Sequence, residues 1–99
     1  MTQLHRPLVL VPLAQGCEEL EAVTVVDLLR RAQIDVITAS LDAAPVRCSR
    51  GTVLLADKSL DEVLDLDFDM MVLPGGLPGA DHLNADARIH QLIERLAAK

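Results

Sequence analysis

Three sets of residues in this 99-residue chain have types that do chemistry. The first is Gly75-Gly76, which follows the apolar run Met70–Leu73 and the stop at Pro74. Without a Cβ, glycines let main-chain N–H groups approach a small anion, so this turn could form an oxyanion pocket. The same two residues also suit a plain tight turn between a strand and a helix. The second is Glu21. Helical winding of residues 18–32 gathers Ala22, Val25, Val26, Leu28, Leu29 and Ala32 on one face, and Glu21 falls inside it. A carboxylate placed there either has a receiver, in which case burial raises its pKa, or reaches water at the helix end. The third is the pair Cys17 and Cys48. Cys17 precedes a helix start, which lowers a thiol pKa, but Glu18, Glu19 and Glu21 oppose that field. Cys48 reads as a small core or interface residue.

The elements that must position these groups follow from the pattern. Leu8–Leu13 is a buried strand with Pro12 marking where pairing stops. The turn 14–17 leads to a helix from Glu18 to about Ala32, with acids in its first turn and Arg30-Arg31 in its last, as the helix dipole favours. Thr24, Asp27, Arg30 and Arg31 lie opposite the apolar face, toward solvent or a partner subunit. Ile34–Leu41 alternates and is β-branched, so it predicts a second strand. Val46–Cys48 and Thr52–Ala56 predict a hairpin around Ser49-Arg50-Gly51. Ser59 and Glu62 have the spacing of a capping box, for a helix through Leu66. Met70–Leu73, four apolar residues in succession, predicts a strand buried on both sides of a parallel sheet. A helix follows the glycine turn, and Asn84 caps a final helix whose stripe is Ala85, Ile89, Leu92, Ile93 and Leu96. The order is that of an α/β protein which looks unfinished at Lys99.

Composition narrows the function classes. A net charge of −6 argues against nucleic acid and anionic membranes as partners. The start of the chain, with one Arg before a short apolar run, is no signal peptide or membrane span. Two cysteines without a leader predict free thiols in a reducing cytoplasm. No dinucleotide fingerprint, phosphate loop or G-x-S-x-G elbow is present. Asp65–Asp69 imitates the start of a calcium loop, but Met70 and Gly76 stand where its glycine and glutamate belong, so it reads as a solvated acidic linker. His5, His82 and His90 are scattered and predicted at the surface.

Together, Gly16-Cys17-Glu18-Glu19-Leu20-Glu21, Cys48-Ser49-Arg50-Gly51 and Val72-Leu73-Pro74-Gly75-Gly76 resemble, in order and spacing, three segments of the ThiJ/PfpI superfamily. Within it the segments most resemble the branch of the parkinsonism-associated deglycase and YajL. The resemblance implies a flavodoxin-like three-layer α/β sandwich with a mostly parallel sheet, of which residues 1–99 are the N-terminal part of a single domain. It implies a cysteine-dependent protein acting on small reactive carbonyls in the manner of a glyoxalase or deglycase, cofactor-free and without metal. It assigns Glu21 as the acid that hydrogen-bonds the catalytic thiolate, and the Gly76 N–H as an oxyanion donor aimed by Gly75. Arg50, Arg31 and Asp27 fall near a homodimer contact and the mouth of the site. The family's nucleophile belongs to a cysteine elbow just beyond the final helix; neither Cys17 nor Cys48 matches it. A C-terminal segment of the same domain is therefore an expected partner. The alternative within the family is a non-enzymatic oxidative-stress sensor or chaperone.

Overall fold

A computed structural model describes residues 6–99; the reading of the chain start and of His5 lies outside them. Leu8–Leu13 forms β1, Glu19–Arg31 α1 and Asp35–Ser40 β2, followed by the short strands β3 (Val46–Arg47), β4 (Val53–Leu54) and β5 (Lys58–Ser59). Leu60–Val63 is α2, Met70–Met71 β6, Gly79–Ala85 α3 and Ala87–Ala97 α4. Four strands form a parallel sheet in the order β5-β2-β1-β6, and β3 pairs with β4 as a separate antiparallel hairpin.

β1 is central because it is apolar on both faces, and its alternating side chains feed two cores. Leu10 points into one with Leu60, Val63, Phe68, Leu83, Ile89 and Leu92, which come from α2, α3, α4 and the segment before β6. Val9, Val11 and Leu13 point into the other with Cys17, Ala22, Val36, Val46 and Cys48, under α1 and the hairpin. Helices therefore cover both faces, giving three layers. Pro12 does not end β1. It is buried and sits opposite Ala39 within the six-residue register with β2, since a parallel ladder leaves alternate N–H groups of a strand facing its other neighbour.

Several expectations are corrected. The strand expected over Met70–Leu73 is regular only at Met70–Met71, opposite Val9 and Leu10, although the Val72 N–H still donates to the Leu10 carbonyl at 2.9 Å. It is not buried on both sides. Met70 and Leu73 are 53% and 43% exposed, because β6 ends the sheet and has β1 on one side only. The helix after Ser59 stops at Val63 rather than Leu66, although Glu62 does reach back to the Ser59 N–H at 3.4 Å. Asn84 lies inside α3 and caps nothing. Asp86 is the N-cap of α4: its backbone is extended and its carboxylate accepts the Arg88 N–H at 2.9 Å. Arg88 then bridges Asp86, Asp61 and the Leu41 carbonyl, tying α4 to α2 and the end of β2.

Candidate functional site at the glycine turn

The β1–α1 turn and the turn after β6 lie side by side at the C-terminal ends of adjacent parallel strands, where open α/β sheets place ligands. Their contact is a backbone-to-backbone fit. The Glu18 N–H donates to the Gly75 carbonyl at 2.9 Å. Gly76 has φ +91°, and a Cβ there would lie 2.6 Å from the Glu18 nitrogen. A Cβ on Gly79 would fall 2.6 Å from both the nitrogen and the Cα of Cys17. These glycines are needed for approach as well as for turning.

Glu21 stands at this junction. Its Oε1 accepts the Gly75 N–H at 3.1 Å, so the acid and the first glycine of the turn are joined across 54 residues of sequence. Glu21 is nevertheless exposed. The apolar arc on which it was placed is displaced: Ala22 is buried and Val25, Val26 and Leu29 are half-buried, whereas Leu28 is exposed. Of the two readings of Glu21, both contain part of the answer, since it reaches water and also has a receiver.

Arg50 enters by its backbone. Glu19, which sequence reasoning passed over as a first-turn acid, accepts the N–H groups of Arg50 at 3.0 Å and Thr52 at 3.1 Å and the Ser49 hydroxyl at 3.3 Å. Desolvation pulls its carboxyl pKa upward, but N–H donation from its own backbone, Thr52 and Arg50 outweighs that and holds it at about 2. This one carboxylate fastens the Ser49–Thr52 turn to the start of α1. The signal was available in its position one residue after the N-cap Glu18, whose side chain takes Leu20 N–H at 3.3 Å and leaves Glu19 free to reach outward. Asp27 and Arg31 pair with each other at 3.0 Å on the outer face of α1, one turn apart. The structure therefore brings Glu21, Gly75 and Gly76 together, attaches Arg50 to the same helix start through Glu19, and leaves Asp27 and Arg31 further along the helix.

Both cysteines are buried and reduced. Burial pushes the Cys17 thiol up, against hydrogen bonding from Cys48 and Ala14, and Glu19 adds to the rise. The reading of Cys17 as an activated thiol at a helix start fails on these grounds. On the far side of Gly75 a cavity of about 210 Å³ runs between the turn, α3 and α4. Its walls are mainly apolar, from Leu73, Pro74, Ala80, Leu83, Ile89 and Ile93, with Asn84 and His90 at its edge.

A DJ-1/PfpI family model matches residues 7–99. The chain belongs to the DJ-1/PfpI family. It is 40% identical over 92 residues to protein DJ-1 homolog B of Arabidopsis thaliana, a match covering 92% of this chain and 21% of that protein. Glutathione-independent glyoxalase DJR-1.2 of Caenorhabditis elegans is 32% identical over 87 residues, covering 88% of this chain and 46% of that one. The solved structure of oxidized Toxoplasma gondii DJ-1 superposes with a TM-score of 0.90 at 40% identity, over 93% of this chain and 50% of that chain. The flavodoxin-like α/β fold is thus shared with DJ-1, and the chain spans between about a fifth and a half of these relatives' length.

Proposed function

We propose that these residues supply the acid and the oxyanion turn of a DJ-1-type centre that processes small reactive carbonyls, and that a cysteine-bearing segment beyond residue 99, or on a separate polypeptide, supplies the nucleophile. The carrying observation is the 3.1 Å hydrogen bond from Gly75 N–H to Glu21 Oε1, which puts a carboxyl group on the turn where an oxyanion would sit. A glyoxalase among the relatives, at 32% identity, supports the reaction class. In this scheme the thiolate adds to the aldehyde carbon, Glu21 moves the proton, and the Gly76 N–H donates a hydrogen bond to the developing oxyanion.

The open side of β6 supports the position of the missing segment. A strand reached from β6 through α3 and α4 by a right-handed crossover arrives on the free edge of β6, along the apolar cavity that Gly75 borders. Its C-terminal end would then lie beside Glu21. A second copy of the chain has its own candidate surface: Leu20 and Val23 on the outer face of α1 are 73% and 50% exposed, and Leu55 beside the hairpin is 79% exposed. Flanked by Asp27, Arg31 and Arg50, this apolar group suits a homodimer contact.

The test is turnover of methylglyoxal by the protein as isolated from its source. The expected result is loss of the aldehyde that thiol alkylation abolishes and Glu21→Gln reduces by about a hundredfold, the scale of a lost general acid–base. Absence of turnover, with thiol oxidation and suppression of aggregation intact, overturns the enzyme in favour of the sensor or chaperone. Intact mass measurement of the same sample decides whether the nucleophile is on this chain.

A further inference from the structure

The carbonyl chemistry makes no use of Cys17 and Cys48, yet they are the two thiols among the described residues and they touch. Their Sγ atoms are 3.8 Å apart in the core beneath α1 and the hairpin. The backbones that hold them are already fastened to each other on both sides. Gly16 N–H donates to the Arg47 carbonyl at 2.8 Å, and Ser49 N–H donates to the Cys17 carbonyl at 2.8 Å. Two thiols held this way meet the main geometric demand of a disulfide, that the chain segments be adjacent before the bond forms.

We infer that Cys17 and Cys48 form a reversible intrachain disulfide when the protein meets a peroxide, locking the start of α1 to the β3–β4 hairpin. Cys48 is 4% exposed and Cys17 fully covered, so the oxidant meets Cys48 first. The Cys48 thiolate attacks one peroxide oxygen, the O–O bond breaks, and the departing hydroxide takes a proton to become water, leaving a sulfenic acid. The Cys17 sulfur then attacks the Cys48 sulfur, the S–O bond breaks, and the hydroxyl leaves with the Cys17 proton as a second water. The two thiols lose two electrons in all and the peroxide gains them.

Burial, then the adjacent Cys17, Glu19 and Glu18, push the Cys48 thiol up to about 12, so thiolate is scarce at neutral pH and closure is slow. The pair responds to sustained oxidant and does not scavenge it. The lock joins the same two segments that Glu19 fastens through Arg50 and Thr52 N–H groups, and makes that junction covalent. It is independent of the carbonyl reading, since neither sulfur belongs to that centre.

The experiment exposes the protein to millimolar hydrogen peroxide, blocks remaining thiols under denaturing conditions and maps a tryptic digest without reductant. The expected product joins the peptide containing Cys17 to Cys48-Ser49-Arg50, lighter by two hydrogens, and dithiothreitol releases it. Thermal melting should rise by roughly 5 to 15 °C on oxidation and return on reduction. Cys48→Ser should remove both the linked peptide and the shift. Mapping of the unaltered protein is decisive even if that variant folds poorly. Two thiols still free after hours, a sulfinic acid at either position, or Cys48 linked to another copy would overturn the inference.

Discussion

The two edges of β1 meet very different partners. On one side all six of its residues are in register with β2, which pairs through two residues with β5, and α1 and a hairpin pinned by Glu19 cover one face of β1 and β2. On the other side only Val9 and Leu10 are in ladder register with β6, where Met70 is exposed and the nearby Leu73 lines an apolar cavity. The first side has polar groups satisfied locally: Glu18 accepts the Leu20 N–H, Glu19 those of Arg50 and Thr52, and Asp57 that of Thr38 in β2 at 3.0 Å. The second keeps its apolar surface uncovered. A strand end that is well supported on one flank and open on the other is a place where chemistry can be assembled from outside.

Mutations should break this contrast unequally. Leu10→Ala empties the centre of the core shared by α2, α3 and α4 and should lower unfolding free energy by about 2–5 kcal/mol in urea titration, whereas Met70→Ala on the open strand should change it by less than about 1 kcal/mol. Gly79→Ala drives a methyl into the Cys17 backbone, where nothing flexible can yield, and should destabilise by about 1–3 kcal/mol in the same titration. Glu19→Gln should lower the melting temperature at pH 7 by releasing the hairpin turn. The sign with pH follows from its depressed pKa. The stabilisation is full above the ordinary value of 4.5 and disappears as pH falls toward about 2, so the acid limb of a melting-versus-pH curve should be shallower in the variant. The smallest effect belongs to Arg31→Ala, which removes an exposed ion pair with Asp27 and should change stability by less than about 0.5 kcal/mol, vanishing in high salt.

The same contrast explains what could be read from sequence. β1, α1, β2 and the hairpin emerged at almost their observed limits because each carries its own signal: β-branched runs, acids and arginines at opposite helix ends, and a Ser-Arg-Gly turn. The open side was misread. Met70–Leu73 has the composition of an interior strand, and composition reports the environment a strand is suited to, not whether its neighbour is present. Asn84 and Asp86 are both good N-caps two residues apart, and only the extended backbone at Asp86 separates α3 from α4. At the site, Gly75, Gly76 and Glu21 stand out by residue type and position, and the resemblance gives them roles; the hydrogen bond that joins Gly75 to Glu21 was not legible in the sequence. Periodicity left Glu21 between burial with a receiver and reach to water, and the structure has it exposed and joined to the Gly75 N–H. Glu19 was missed because its partners are backbone N–H groups 31 and 33 residues away, which leave no mark in side-chain patterns. β5 was missed because two residues, Lys58 and Ser59, are too few to show alternation.

The register of β1 also has a consequence for the order in which a ribosome would deliver this fold. β1, α1 and β2 are contiguous, so their parallel ladder can close soon after Ser40 emerges, with Val36 and Ala22 already burying one face of the central strand. The other face waits for Leu60, Phe68 and Leu83, and the second edge waits for Met70 and Met71. A nascent chain therefore carries a finished half and a sticky half for the time it takes to translate about forty more residues, at roughly 5–20 residues per second. Leu10 is the residue on which that interval acts: fully buried in the finished fold, it stays uncovered until α2, α3 and α4 have followed.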